Sequence, residues 1–503
     1  MNRSKKFLYN TVTSAMYQII VFIVGIILPR VMLVHYGSEI NGLVSSITQM
    51  ITYLSLVEAG ISSATVYALY KPLSTEDYPA ISRIVSAAKK FYYQSGALFV
   101  GLVVIMAGIY AVSVKVTDLP PLWIGVLVII LGASGYLDFF TLAKYRAILT
   151  ADQRSYAISL ASIVYLVTNT AIIAILARFD INIVLVRFVA IFSICLRSLI
   201  LNIYVKRKYP LIDYKAEPNI DALNKRYSAL YMQILGAVQK GSPVLLATIF
   251  TTLESVSVFS IFNMVFTGIG SLFDIFMSGL SAGFGEIIAR KETKTLQKAY
   301  GDFEFVYYAM ITTVYATAFV MLMPFISVYT SGVTDTDYNR VLLGVLFVVN
   351  GFLYNLKTPQ GMLVISAGLY KETRVQTTIQ CGLIVILGII LAPLMGLEGI
   401  MIALCISNLY RVIDLVMYIP KAVTKLPVSS TLSKIIFSIV SAAISVLISS
   451  RFNLKATGYV QWVLKAGAVF ALSISVYIGV SLLFMRSSFS SAFKRIMSMI
   501  IHK

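Results

Sequence analysis

Apolar stretches of about 20 or more residues follow one another along almost the whole chain, separated by short polar segments. A helix rises about 1.5 Å per residue, so each stretch is long enough to cross the roughly 30 Å of hydrocarbon in a bilayer. A membrane barrel would need short alternating strands instead, and the pattern has no such alternation. The sequence therefore predicts an all-α integral membrane protein with about fourteen transmembrane helices.

The boundaries of these spans are defined to within a few residues by the polar segments between them. The second, fourth and eighth spans are longer than the bilayer is thick, so we expect them to tilt or to extend beyond it. The predicted spans cover residues 7–34, 38–70, 91–115, 121–149, 155–177, 181–205, 229–252, 254–285, 303–330, 339–366, 373–393, 397–420, 430–450 and 460–485.

Lysine and arginine are concentrated in every other gap between the spans. With this span count, 29 cationic residues lie on one side, 5 lie on the other and 7 lie within spans. The positive-inside rule then places both termini in the cytoplasm. The net charge of +19 is mainly a topology signal, because the charges are dispersed over many short loops. This dispersal argues against nucleic-acid binding, which is the other interpretation of a basic chain.

A polar, basic connection divides the spans into similar halves. Pro29 lies late in the first span and Pro243 lies within the seventh, and a short turn follows each span. An even number of spans per half indicates a parallel repeat, in which substrate sites lie between the halves near mid-membrane. The sequence predicts two pseudo-symmetric six-helix lobes and two additional helices: an N-lobe over 1–205, a cytoplasmic linker over 206–228, a C-lobe over 229–420, and two spans with a cytoplasmic tail over 421–503.

Charged residues inside the predicted spans are the first candidates for function. A charge at the centre of a bilayer costs roughly 2.5–3.5 kcal/mol on insertion scales, so each one needs a partner, a cavity or a role. The cations within spans are Arg30, Arg187, Arg197, Lys240, Lys357, Arg411 and Lys465, and the acids are Glu58, Asp138, Asp274 and Asp414.

Several of these charges have a structural interpretation. Arg411 and Asp414 are three residues apart on one helix, which favours a local ion pair. Lys465 lies near the outer end of its span and can extend its amine to the surface. Arg187 also lies within about two turns of the outer surface, so the same behaviour is an alternative to a binding role there.

Arg30, Lys240 and Lys357 are the stronger candidates, because each lies within three residues of a proline that bends its span and exposes backbone polarity to a cavity. Arg30 and Lys240 occupy equivalent spans of the repeat, so we expect them to face each other, with Glu58 and Asp274 as partners. Buried ion pairs without a ligand are the alternative. The candidate substrate-binding cations are Arg30, Lys240, Lys357 and Arg187, and the candidate cavity or ion-coupling acids are Glu58, Asp274 and Asp138.

Three local stretches carry a family resemblance: Tyr36-Gly37-Ser38-Glu39-Ile40-Asn41-Gly42-Leu43, the segment 359–372 that begins Pro-Gln-Gly-Met, and Gly396-Leu397-Glu398-Gly399-Ile400. With the fourteen spans and the cationic central spans, the chain resembles the polysaccharide transporter branch of the multidrug/oligosaccharidyl-lipid/polysaccharide exporter superfamily. That branch contains O-antigen, capsule and teichoic-acid repeat-unit flippases. The resemblance covers essentially the whole chain.

This resemblance implies a flippase that alternates between inward- and outward-open states. Its substrate would be an undecaprenyl-(pyro)phosphate-linked oligosaccharide or a teichoic-acid-type precursor, moved from the cytoplasmic to the outer leaflet of a bacterial cytoplasmic membrane. Arg30 matches the first-span cation of such cavities. The resemblance implies no cofactor, coupling to H⁺, Na⁺ or membrane potential, and membrane lipids, glycan polymerases and glycosyltransferases as partners.

Two other functions remain as alternatives. An ion-coupled multidrug exporter of the same superfamily would favour organic cations and an acidic cavity, whereas the excess charge here is positive. A membrane-embedded glycosyltransferase or polymerase would need catalytic acids or histidine, often on a large outer loop. The outer loops here are short, and the chain has only two histidines. The sequence therefore predicts a transporter and not an enzyme, with no metal site.

Overall fold

A computed structural model describes residues 3–58, 60–220, 223, 226–278 and 280–501. The described residues are almost entirely helical, with short one-turn 3₁₀ and π segments between some helices. The α-helices are α1 Arg3–Leu54, α2 Ile61–Ser74, α3 Tyr78–Ser113, α4 Pro121–Leu137, α5 Ala143–Ala151, α6 Ser155–Ala177, α7 Ile183–Lys208, α8 Arg226–Phe250, α9 Leu253–Ser278, α10 Leu280–Ala289, α11 Thr293–Tyr329, α12 Val341–Leu356, α13 Thr358–Ser366, α14 Arg374–Ile419, α15 Val428–Ser449, α16 Tyr459–Phe484 and α17 Arg486–Ile501.

Eleven helical segments in the described part of the chain are long and apolar enough to cross a membrane. Two of them are 51 residues long, and each is two helices joined at a glycine. Gly37 has φ 75° and Gly396 has φ 59°, a region of backbone space that glycine enters without steric cost. Helix α8 adds another 25 residues, or about 37 Å. Counting each broken segment as two helices and α8 as one gives fourteen helices of crossing length in the described part of the chain, the original eleven segments being apolar enough by composition. The protein is a multi-pass membrane protein.

Contacts between helices divide the chain into two compact units. The first unit comprises residues 1–248 and 252–260, and the second comprises 249–251 and 261–503. Most of α8 belongs to the first unit, whereas the repeat in the sequence assigns residues 229–420 to one lobe. The units are defined by contacts between residues, whereas the predicted lobes are defined by the repeat in the sequence. The contact-based units therefore do not test the predicted lobe boundaries, which stay a prediction. Part of the predicted linker, residues 221, 222, 224 and 225, lies outside the described residues.

The ends of the helices in the first unit meet as the charge pattern predicts. Lys6 Nζ lies 2.7 Å from Asp152 Oδ1, and the Tyr209 hydroxyl donates to Asp152. The start of α1, the α5–α6 turn and the end of α7 therefore share one end of this unit. At the opposite end, the Tyr36 hydroxyl donates to the carbonyl of Ile181 at 2.9 Å. Segments predicted to lie on the same side of the membrane are thus together.

In the second unit, the C-terminal helices pack along α11. Phe305, Phe437, Tyr477 and Ala492 form a buried cluster that joins α11, α15, α16 and α17. Trp462 on α16 donates through Nε1 to a carbonyl oxygen of α11 at 2.9 Å. The two spans that follow the repeat are therefore bound to the second unit through α11.

Candidate functional site

Arginines converge inside the first unit, where α6 packs against both α1 and α7. Arg30 is half-buried on α1, directly after Pro29. The guanidinium of Arg187 on α7 lies against the same turn of α1, with Nη2 3.6 Å from Met32 Sδ. The structure therefore brings Arg187 to the level of Arg30. Among the described residues, Arg187 forms no ion pair with a carboxylate, and its Nε is buried without a hydrogen-bond partner.

Arg197, two to three turns along α7 from Arg187, extends this cationic region. Its guanidinium carbon lies 5.8 Å from the ring centroid of Tyr165 on α6, and its Nε is also buried without a partner. Tyr165 interacts electrostatically with both arginines. A ring face attracts a cation but does not neutralise it. The Nε–H of each arginine therefore has no acceptor among the described residues.

Glu58 has a different partner from the one expected, and it shares this partner with Asp138. Both contact Arg146 on α5, with Nη2 3.4 Å from Glu58 Oε1 and 2.6 Å from Asp138 Oδ2. Asp138 opens a π-helical turn, Asp138–Leu142, which joins α4 to α5. Glu58 was expected to pair with Arg30, and Arg146 is not among the cations that the sequence analysis assigned to the membrane, although it lies within the predicted span 121–149. The structure corrects both points, because the kinked helix continues to Ala151 and turns Arg146 inward.

Lys240 is exposed near the middle of α8, and no described residue pairs with it. The adjacent Gly241 marks a close approach of helices: a Cβ there would lie 2.3 Å from Gln49 Nε2 and 2.8 Å from the Tyr53 hydroxyl. The Tyr53 hydroxyl and Ser242 Oγ are buried without partners in the described structure. Lys240 therefore lies beside a set of polar groups whose hydrogen bonds are not satisfied by the protein.

Lys357 lies in the second unit, between α12 and α13, and is 9% exposed. Its Nζ donates to Asn408 Oδ1 at 2.8 Å and lies 4.7 Å from the ring centroid of Tyr354. Asp274 is exposed on α9 and forms no ion pair within the described residues. The expected local pair on α14 is confirmed, with Arg411 Nη1 2.5 Å from Asp414 Oδ2.

No family model matches the chain, and no curated protein matches it. Solved structures do match. The lipid II flippase MurJ in an inward closed conformation superposes with a TM-score of 0.70 at 15% identity, over 96% of this chain and 99% of that chain. An inward-facing multidrug resistance MATE family transporter of the MOP superfamily gives a TM-score of 0.66 at 14% identity, over 84% of this chain and 99% of that chain.

A third match is a MOP superfamily transporter from Pyrococcus furiosus whose binding pocket is described as having reverse polarity. Its TM-score is 0.54 at 14% identity, over 85% of this chain and 95% of that chain. The chain has the fold of the MOP superfamily transporters. At these identities the likeness defines the fold and leaves the substrate to the chemistry of the chain's own residues.

The sequence missed a buried ion pair in this fold. Glu304 on α11 is completely buried, and its Oε2 lies 2.7 Å from Lys434 Nζ on α15. Its Oε1 accepts hydrogen bonds from Thr431 at 2.9 Å, Gln360 at 3.0 Å and Tyr300 at 3.1 Å. Neither residue is among the intramembrane charges named from the sequence, although both lie within predicted spans. The signal in the sequence was the segment Asp302-Phe303-Glu304-Phe305, in which acids alternate with aromatic residues at the start of a long apolar stretch.

A second missed cluster lies at the end of the first unit where α1 begins. Asp152 accepts hydrogen bonds from Lys6, Arg154 and Tyr209. Burial raises the pKa of the Asp152 carboxyl, but these donors together outweigh burial and hold the pKa below its usual range. Burial and the neighbouring carboxylate raise the pKa of the Tyr209 hydroxyl. The cluster ties the start of α1 to the loop between α5 and α6.

Proposed function

We propose that this protein is a flippase that moves an undecaprenyl-(pyro)phosphate-linked oligosaccharide or a teichoic-acid-type precursor from the cytoplasmic to the outer leaflet by alternating access. The observation that carries this proposal is a pair of partly buried arginines, Arg187 and Arg197, that have no carboxylate partner among the described residues. Lysine and arginine bind phosphate through charge-assisted hydrogen bonds.

The contrast with other arginines in the chain supports this reading. Arg146 and Arg411 are each matched by a nearby carboxylate. Where an internal charge is structural, the chain supplies a counter-charge, as the cost of burying an isolated ion requires. Arg187 and Arg197 depart from that rule, so an anionic ligand is the partner that their charge and hydrogen-bonding geometry favour.

A lipid-linked anion has a physical need for such a protein. The polyprenyl tail can remain in the bilayer, but moving a diphosphate through hydrocarbon is prohibitively costly without polar partners. The fold is consistent with this role, since the lipid II flippase MurJ superposes on 96% of the chain. The MATE multidrug transporters share the fold over less of the chain, and an exporter of organic cations is the second candidate. An excess of internal cations disfavours that substrate.

The cellular setting is part of the same proposal. The basic ends of the helices lie in the cytoplasm, together with both termini, in the cytoplasmic membrane of a bacterium. Glycosyltransferases would supply the lipid-linked substrate and a polymerase would use it. An ion gradient or the membrane potential would drive the cycle. We assign no metal or organic cofactor a role.

The test uses the full chain in lipid vesicles with a polyprenyl-diphosphate-linked sugar that carries a quenchable fluorophore. Wild-type protein should move the probe between leaflets. Arg187→Gln and Arg197→Gln should each slow movement about 10-fold or more, the equivalent of one lost charge-assisted hydrogen bond. Arg178→Gln is the matched control, because Arg178 is exposed in the turn after α6.

Two results would count against the proposal. Equal rates in all three variants would remove the arginines from the substrate path. Transport of an organic cation dye, without movement of the lipid probe, would favour the multidrug exporter.

A further inference from the structure

Lys357 occupies a break in a membrane-crossing helix. Helix α12 ends at Leu356 and α13 begins at Thr358, followed by Pro359, which lacks a backbone N–H. Such a break is a natural hinge in a span, because backbone hydrogen bonds there are already interrupted. A charged side chain at a hinge can stabilise one arrangement of the helix relative to another.

The amine of Lys357 fastens this hinge to two other spans through one amide. Asn408, in the second half of α14, accepts from Lys357 at 2.8 Å and from Gln380 at 3.2 Å through the same oxygen. Gln380 lies in the first half of α14. The amide nitrogen of Asn408 donates to Asn350 on α12 at 2.8 Å. Three crossing helices therefore meet at the group formed by Lys357, Asn408, Gln380 and Asn350, in which Lys357 is the cation.

Neutral groups make up the immediate surroundings of the amine. The ring of Tyr354 faces it, and no carboxylate within the described structure lies within 4.0 Å of Nζ. Of the titratable and charged groups on the elements packed around it, Tyr354 on α12 faces the amine, and Arg411 and Cys381 on α14 interact with it electrostatically. The same elements also carry Tyr307, Tyr308 and the buried Glu304 on α11, Asp414 on α14 and Glu286 on α10. Glu304 is engaged by Lys434 and Asp414 by Arg411. The charge of Lys357 is therefore not compensated by an acid of its own.

Two further polar groups, Tyr354 and Asp274, extend from this amine toward the surface of the second unit. Tyr354 is 41% exposed, and it interacts electrostatically with Asp274 on α9, which is also exposed. The order is a buried amine, a half-exposed phenol and an exposed carboxylate. Groups of this kind can pass a proton between solvent and an interior site.

We infer that Lys357 is the proton-binding group of the second unit, with Asp274 at the entrance, and that transport is coupled to loading and unloading of its amine. This inference rests on the proposed flippase function. On unloading, one N–H bond of the ammonium breaks, its electron pair stays on Nζ, and the proton passes to water or to the Asp274 carboxylate. A lysine amine can make this change, whereas an arginine guanidinium stays charged in proteins.

The change at the amine has a structural consequence. The ammonium makes a charge-assisted hydrogen bond to Asn408 and a cation–π contact with Tyr354, and both weaken in the neutral amine. Loss of the proton therefore loosens the attachment of the hinge to α14. Binding of the proton restores it, which gives the second unit two states whose populations depend on the proton supply.

The experiment uses the vesicle assay with an imposed pH gradient. If one proton moves per substrate, a gradient of one pH unit should bias the leaflet distribution of the lipid probe about 10-fold. Lys357→Met should remove this bias, and Asp274→Asn should slow its development. Lys298→Gln, an exposed change on α11, is the control and should behave as wild type.

A second measurement does not depend on transport. The melting temperature of the purified protein is recorded against pH, and the curve of wild type should differ in shape across neutral pH from that of Lys357→Met. Lys357→Gln, which keeps a donor for Asn408, serves if the methionine variant does not fold. Identical curve shapes would overturn the inference.

The two proposals fail in different ways. A wild-type protein that moves the probe without any response to the pH gradient would overturn proton coupling and leave the flippase intact. A wild-type protein that moves no probe would overturn the flippase. In that case a distinct melting curve for Lys357→Met would still support proton binding at this lysine.

Discussion

The Glu304–Lys434 pair gives the sharpest test of what holds the C-terminal helices to the second unit. Glu304 is 0% exposed, and the Lys434 side chain is 5% exposed. Lys434→Met would leave the carboxylate with its three neutral donors and no counter-charge. Removing one partner of a buried ion pair costs about 3–5 kcal/mol, so we expect a loss of stability in that range.

The double variant separates the charge pair from the packing around it. Glu304→Gln alone leaves Lys434 as a buried cation and should also destabilise the protein. With Glu304→Gln and Lys434→Met together, neither charge remains, and we expect recovery of about 2 kcal/mol relative to the sum of the single changes. Arg290→Met is the control, because its pair with Glu286 is 65% and 63% exposed and should contribute at most about 0.5 kcal/mol.

Tryptophan fluorescence makes the assay local. The chain has two tryptophans, and Trp462 lies in the second unit with its indole 5.0 Å from the ring of Phe325. In a Trp123→Phe background, unfolding in mild detergent with added denaturant reports on the α11–α16 contact alone. A Lys434→Met protein within about 0.5 kcal/mol of wild type would refute the reasoning, because a buried carboxylate would then need no counter-charge.

Three further predictions concern the first unit. Because the pKa of Asp152 is held below its usual range, its contribution to stability is present above about pH 4 and is lost as the pH falls through the folded-state value. Asp152→Asn should flatten the acid side of a plot of melting temperature against pH, and an unchanged acid limb would contradict this. Gly42→Ala should destabilise by about 1–3 kcal/mol or more, because its Cβ would lie 1.8 Å from the carbonyl oxygen of Leu253. Gly25→Ala is the control, because a Cβ at that position would have no heavy atom within 4 Å, and it should be neutral or stabilising by up to about 1 kcal/mol. Equal melting temperatures for the two alanine variants would argue against close helix packing at position 42. Arg146→Met should lower the melting temperature more than Arg178→Gln does, since it leaves the half-buried carboxylates of Glu58 and Asp138 unpaired. A decrease no larger than that of Arg178→Gln would show that hydration of the two carboxylates replaces the ion pairs.

Much of the architecture follows from the sequence for a reason specific to membranes. Backbone groups in lipid must be satisfied within the segment, so an apolar stretch of sufficient length becomes a helix whatever its neighbours are. The spans and the positions of the breaks at Gly37 and Gly396 are local properties of this kind. The Arg411–Asp414 pair was predictable for the same reason, because its partners are three residues apart on one helix.

The candidate site was only partly predictable. The sequence identified Arg187 and Lys357 as charges within spans, but it could not show that Arg187 meets α1 at Met32 or that Lys357 binds Asn408. Glu58 was expected to pair with Arg30 and instead contacts Arg146. Each of these contacts joins residues on different helices, so the choice of partner depends on the rotation and tilt of each helix in the bundle.

Hydropathy along the chain determined that this protein crosses the membrane many times and which gaps share a side. Tertiary packing alone decided which internal charges are neutralised, as Glu304 is by Lys434, and which have no carboxylate partner among the described residues, as is the case for Lys357. The physical reason is one of range. Helix formation in lipid depends on neighbouring residues, whereas compensation of a buried charge requires groups that are far apart in sequence to come within about 4 Å.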